Sequence, residues 1–235
     1  MRTTTPRGRG SARRAFRRSA PVRPGGAEPR PPARKSAANR AAKSEARRAA
    51  IVRAALDEFC ARGFAATRID DVAARAGVAK GTIYLHFDDK EALFREIVTT
   101  MLVPLIATLE APPADLPIRA VIARFMELFV REIYSTQRRN VLRLVMTEGP
   151  RFPELAEFHY RNVVERAIAA MRALLTRARE RGELKDDTLI RFPQLIVAPG
   201  IVAIVWSGLF DRFAPLDVEA MMRAHIDTLF EGCAP

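Results

Sequence analysis

Three histidines, two cysteines and no metal-ligand spacing leave little equipment for catalysis in this chain. His86, His159 and His225 are far apart, and neither Cys60 nor Cys233 belongs to a Cys-x-x-Cys pair, so zinc and redox chemistry have no motif to start from. A Gly-x-Ser-x-Gly elbow, a phosphate loop and a dinucleotide fingerprint are missing. No catalytic residue, metal ligand or cofactor is assigned, and an enzyme is not expected. The chemistry on offer is hydrogen bonding and charge along one short stretch. Lys80, Thr82, Tyr84, Leu85 and His86 are spaced to face outward from a short helix. Such a helix fits the major groove of DNA, its first residues nearest the base edges.

That helix needs a scaffold, and the neighbouring residues supply one. Ile51, Ala55 and Phe59 recur at i, i+4, i+8 with Val52 and Leu56 beside them, which predicts a helix from about 43 ending at Gly63. A short helix follows over 69–76, a turn at Gly77, and a second short helix over 80–87. Val72, Ala73, Ala76, Val78 and Ile83 supply small apolar contacts between the two. Gly77 tolerates positive φ, and both Ala73 and Gly77 are expected to be small because the helices approach closely. Asp88 or Asp89 is placed to cap a longer helix from Lys90 to about Leu109. The arrangement is a helix-turn-helix.

Pro112, Pro113 and Pro117 mark a linker. Beyond it Ile118, Ile122, Phe125, Phe129 and Ile133 form an apolar stripe at helical spacing, and further helices are predicted at 138–148, 154–181, 188–212 and 217–231. No stretch alternates with period two. The fold class is all-α: residues 1–42 an Arg/Pro-rich arm, 43–95 a three-helix DNA-binding domain, 96–235 a helical regulatory and dimerisation domain. The apolar run Leu195–Trp206 is too short to span a bilayer and contains Pro199 and Gly200. A buried helix in a cytoplasmic protein is expected, with no membrane partner.

The net charge of +12 does not belong to the folded part. Residues 1–50 hold 15 basic and 2 acidic side chains, whereas 51–235 hold 24 and 25. Residues 1–40, with six prolines and few large apolar side chains, are expected to be disordered and to add sequence-tolerant affinity for DNA; an inert tail, or a true beginning near Val22, is the bland alternative. A nonspecific, histone-like binder driven by this arm is the alternative function.

Residues 46–98 resemble the TetR/AcrR family, the tetracycline-repressor-like regulators. The resemblance is carried by Gly63-Phe64, Thr67, Val72-Ala73, Ala76-Gly77-Val78, Lys80-Gly81-Thr82-Ile83-Tyr84, His86-Phe87, Lys90 and Leu93-Phe94. It implies DNA contacts from Lys80, Thr82, Tyr84 and His86, with Gly81 keeping the backbone near the groove and Leu85 on the same surface. Lys90 and the start of its helix resemble a phosphate clamp, and Thr67 and Arg68 resemble contacts from the preceding helix. Tyr84 and Lys90 are assigned to phosphate, Arg68 and Thr82 to base reading. The bland alternatives are a Tyr84 ring packed inside the head, a structural His86, and solvated lysines. Arg68 stands where a small hydroxyl residue is common, and Pro193 and Pro199 interrupt a helix often continuous in relatives.

The resemblance further implies a homodimer on double-stranded, palindromic DNA, more often a repressor, with a small-molecule effector in the second domain. The helices near 188–212 and 217–231 are the expected dimer pair, with Ile204 on the interface. Phe125, Phe129, Met146, Phe158 and Trp206 are candidates to line an apolar pocket, and His159 and Arg161 to orient a polar ligand group.

Overall fold

The computed structural model describes residues 33–110 and 116–231. Expectations for the arm before Ala33, for Pro112 and Pro113 and for Cys233 lie outside them. The chain divides after Arg40 into two compact units, of which the second, Ala41–Pro235, holds both the core and the candidate site. Every element among the described residues is helical: α1 (Ala33–Arg62), α2 (Ile69–Ala76), α3 (Lys80–Tyr84), α4 (Lys90–Met101), α5 (Val103–Glu110), α6 (Ile118–Leu128), α7 (Arg138–Glu148), α8 (Pro153–His159), α9 (Glu165–Glu180), α10 (Thr188–Arg191), α11 (Gln194–Leu209) and α12 (Val218–Phe230). Helix α1 starts ten residues before the expected 43.

Glycine and aspartate set the boundaries of the head. Gly63 ends α1 at φ 80° and Gly77 ends α2 at φ 65°, conformations a side chain with Cβ adopts at a cost. The expected close approach at Gly77 is absent: a Cβ there would meet nothing within 4 Å, so conformation alone calls for glycine. Asp89 caps α4, accepting from the Ala92 N–H at 2.5 Å. Glu58, almost fully buried, accepts from Arg75 at 2.6 Å and pairs with Arg62 at 3.1 Å, which reaches Asp71 at 3.3 Å. This ionic cluster ties α1 to α2.

Two apolar clusters form the core. The first joins α1–α4 through Ile51, Leu56, Phe59, Phe64, Ile83 and Phe94. It does not close at residue 95: Ile97, Val98 and Leu102 of the α4 stretch and Val141, Leu144 and Leu155 of α7 and α8 belong to it. Phe152 completes it, its ring 5.0 Å from that of Phe64. The second cluster unites α5, α6 and α9–α12 around Ile122, Leu175, Ile196 and Ile204.

Two helices predicted as single rods are interrupted. A π-helical turn, Tyr160–Val164, separates α8 from α9, and another, Phe129–Tyr134, follows α6. The 188–212 segment breaks at Phe192-Pro193, giving α10 and α11. Pro199 lies inside α11 without breaking it. A proline leaves the carbonyl four residues earlier without its helical donor, and here the His225 imidazole of α12 meets that Leu195 carbonyl, Nε2 at 2.8 Å. Gly200 makes room on the same helix: a Cβ there would stand 2.8 Å from the Phe129 ring.

Candidate functional site

Helix α3 is anchored from beneath by Ile83, which is fully buried, and by Phe87. Its other side is open. Leu85 is 82% and Tyr84 49% exposed, although both are large and apolar in body. Among the described residues Tyr84 has no ring contact, so the packed-ring alternative finds no support. Lys80 is exposed and pairs with Asp70 at 2.9 Å, an ion pair that solvent and salt keep weak. Thr82 and His86 are half-buried, and the His86 ring lies against Phe87 at 6.2 Å. A Cβ at Gly81 would meet nothing within 4 Å, so the helix surface there is flat and unobstructed. The Arg68 side chain is exposed, while its backbone N–H is held by the Asp71 carboxylate at 3.2 Å.

Two expected contacts are placed differently. Thr67 is 3% exposed, its hydroxyl 2.8 Å from the Gly63 carbonyl and 3.2 Å from that of Glu58. Its hydroxyl is turned to these two carbonyls inside the head, where it braces the corner between α1 and α2. Lys90 turns inward: Nζ donates to the Phe64 carbonyl at 3.0 Å and the Ala65 carbonyl at 3.1 Å, and sits 4.7 Å from the Phe64 ring centre. Its helix end carries its own anion, Asp89. A solvent-facing phosphate clamp is not what the side chain forms in the free protein.

A cavity of about 610 Å³ opens in the second cluster. Phe125, Phe129 and His159 line it; Met146, Phe158 and Trp206 do not. Met146 is packed into the second cluster and Phe158 against the first. Trp206 turns to the surface end of α11, where Nε1 donates to the Ala214 carbonyl at 2.6 Å and the ring meets Phe210 at 5.1 Å. Arg161 forms an exposed ion pair with Glu157 at 2.7 Å. The residues that sequence reasoning missed include Leu102, Ile106, Ile168, Gln194 and Val197. Both π-helical turns contribute wall, through Phe129 and Ile133 and through Val163 and Val164. Such turns splay a helix by one residue and recur at functional sites. His159, the last residue of α8, is 7% exposed, and burial holds its imidazole down at about 4.

On α11 an apolar face remains uncovered: Ile201, Val202, Val205 and Leu209 are each at least 40% exposed. Ile204 is not among them. It is fully buried within its own subunit and is not free to meet a second copy. No helix among the described residues is long and apolar enough to cross a membrane.

An open helix on a small helical head, with a cavity-bearing helical bundle behind it, defines a two-part regulator architecture, and comparison with known proteins agrees. The family model for bacterial regulatory proteins, tetR family, matches residues 51–97, and that for tetracyclin repressor-like C-terminal domains matches 112–228. An HTH-type transcriptional repressor of Streptomyces coelicolor is 31% identical over 149 residues, covering 60% of this chain and 69% of that protein. The HTH-type transcriptional regulator YerO of Bacillus subtilis is 26% identical over 187 residues, 77% of this chain and 64% of that protein. The chain thus spans a little under two thirds of YerO. Among solved structures, NalD of Pseudomonas aeruginosa, the secondary repressor of the MexAB-OprM multidrug efflux pump, superposes with TM-score 0.63 at 25% identity, over 81% of this chain and 98% of NalD. The chain belongs to the TetR family.

Proposed function

We propose that this protein is a ligand-responsive transcriptional regulator, a repressor, that binds a palindromic operator as a homodimer. One observation carries the reading: the cavity and the head share helices. Leu102 at the end of α4, Leu142 of α7 and His159 of α8 border the cavity, while α4, α7 and α8 also supply Leu102, Val141, Leu144 and Leu155 to the head's core. A molecule that fills the cavity better in one arrangement of these helices shifts the head, provided its affinity for the two arrangements differs. In the DNA-bound arrangement, two copies of α3 enter successive major grooves about 34 Å apart. Tyr84 and Leu85 then meet backbone and thymine methyl groups, Thr82 and Arg68 the base edges. Lys80 exchanges Asp70 for a phosphate. Lys90 acts indirectly, by fixing the 64–65 loop.

The test is selection of bound sequences from random double-stranded DNA, followed by competition with unrelated DNA. A single two-fold site that survives competition supports the regulator. Equal loss of all sequences favours the nonspecific binder, whose pull would come from the arm. Residues 51–100 hold 7 basic and 8 acidic side chains, so the head has little long-range pull of its own. A chain beginning at Ala33 separates the two contributions: it loses affinity for both kinds of DNA at low salt and keeps its operator preference.

A further inference from the structure

We infer that the cavity selects an uncharged, largely apolar molecule bearing one hydroxyl-type group, and that the His159 imidazole is the side chain that recognises this group. The inference rests on reading the cavity as the effector site and names the chemistry it accepts. Among the described lining residues none is Asp, Glu, Lys or Arg; the polar ones are His159 and Gln194. An ionic head group would enter without a counter-charge, and burying an unpaired charge is the costliest of the available arrangements. A purely apolar molecule avoids that penalty but leaves one group unserved. His159 Nδ1 is fully buried with no hydrogen-bond partner. Buried nitrogen is normally paired, so an unsatisfied imidazole on a residue that lines the cavity marks where a ligand atom completes the site.

The imidazole environment narrows the partner. Burial keeps the ring neutral at pH 7, so each ring nitrogen is either a donor or an acceptor, according to tautomer, and never part of a cation that could attract a carboxylate. A hydroxyl serves both tautomers because it donates and accepts. An ether or a ketone only accepts and an ammonium only donates, so each serves only one. The position of His159 at the junction of α8 with the π-helical turn Tyr160–Val164 gives the bond a consequence: it ties the ligand to the helix whose Leu155 lies in the head's core.

Four probes of one skeleton test this on the full chain: butylbenzene, 4-phenylbutan-1-ol, 4-phenylbutanoate and 4-phenylbutylamine at pH 7, titrated by calorimetry. The alcohol is expected to bind at least about tenfold more tightly than the carboxylate, the ammonium and the hydrocarbon. His159→Phe should remove that advantage, and urea unfolding of the variant at pH 7 certifies that it is folded. His159→Gln, which keeps a polar group, should restore part of it. With three histidines in the chain, the His159 nitrogen resonance is assignable by its loss in the variant, and it should move on adding the alcohol and not on adding butylbenzene. A carboxylate or ammonium that binds as well as the alcohol overturns the inference, as does an alcohol indifferent to His159→Phe. If none of the four binds up to its solubility, the reading of the cavity as a ligand site falls with it.

Discussion

Lys90 shows how a residue type is legible while its direction is not. A lysine at the start of a helix near a DNA-reading element is sensibly assigned to phosphate, but the two carbonyls and the ring that capture it lie 25 and 26 residues earlier in sequence, beyond any local pattern. The expected outcome of Lys90→Ala is therefore a folding defect. The partly buried Phe64 carbonyl and the exposed Ala65 carbonyl lose their donor and the Phe64 ring its cation, a destabilisation of about 1–3 kcal/mol readable by urea unfolding without DNA. Unchanged stability with a lower salt slope of DNA binding would return Lys90 to the phosphate role. His159 makes a second prediction. Its folded imidazole protonates near 4 and the unfolded one near 6.5. Between those values the unfolded chain binds the extra proton, so stability falls as pH is lowered from 6.5 to 4 and this contribution flattens below. The full drop is on the order of 3 kcal/mol. Glu132 and Glu183, held below the usual carboxylate range by arginine hydrogen bonds, give up their contributions only below about pH 4.5, where the unfolded carboxylates begin to protonate. Urea melts at pH 7, 5.5 and 4.5 should thus show a slope in the native chain that His159→Phe abolishes; parallel slopes would mean the imidazole is not buried neutral.

Among the elements, α11 depends on the replacement of one missing hydrogen. Pro199 and Pro193 read in the sequence as breaks; one is a break and the other is not, because His225, 26 residues beyond Pro199, replaces the lost donor at Leu195. No local rule finds that compensation. It predicts non-additivity. His225→Ala in the native chain strands the Leu195 carbonyl and should cost about 1 kcal/mol. In a Pro199→Ala background the helix supplies its own N–H, and the same change should cost close to nothing. A double-mutant cycle by thermal unfolding measures the difference, and additive effects would show that the His225 contact carries no energy. The cavity failed to appear in the sequence for a related reason. Phe125 and Phe129 share the spacing of core residues, and Met146, Phe158 and Trp206 share the composition of pocket residues. Periodicity tells which face is inside, not whether the inside is filled. The head was legible because its determinants, Gly63, Gly77, Ile83 and Asp89, act within a few residues of themselves.

For the molecule as a whole, the α11 face is the feature that bears on assembly. Exposed Ile201, Val202, Val205 and Leu209 form an apolar strip on a helix whose opposite side, with Ile196 and Ile204, is core. Strips of this kind mark interfaces. Sedimentation of the native chain at micromolar concentration is expected to give a dimer. Val205→Glu should give a folded monomer that binds operator DNA weakly, because each half-site then acts alone. Ile204→Glu is not an equivalent experiment: it buries a charge inside one subunit and should unfold it. A dimer that survives Val205→Glu would move the interface elsewhere.

Phe152 reaching back to Phe64 also decides how such a protein can be re-aimed. The candidate DNA-reading residues all fall within 67–90, yet the hydrophobic seat beneath them is completed by Val141, Leu144, Phe152 and Leu155. A chimaera spliced at residue 95 would set a foreign head on a seat shaped for this one, and a ring packed edge-on at 5.0 Å tolerates little mismatch. Exchange of reading heads between relatives works when 141–155 travels with the head. The unit that evolution or an engineer can transplant is thus two separated stretches of gene, and a single crossover between them yields a protein that has inherited an address without the hinge that holds it.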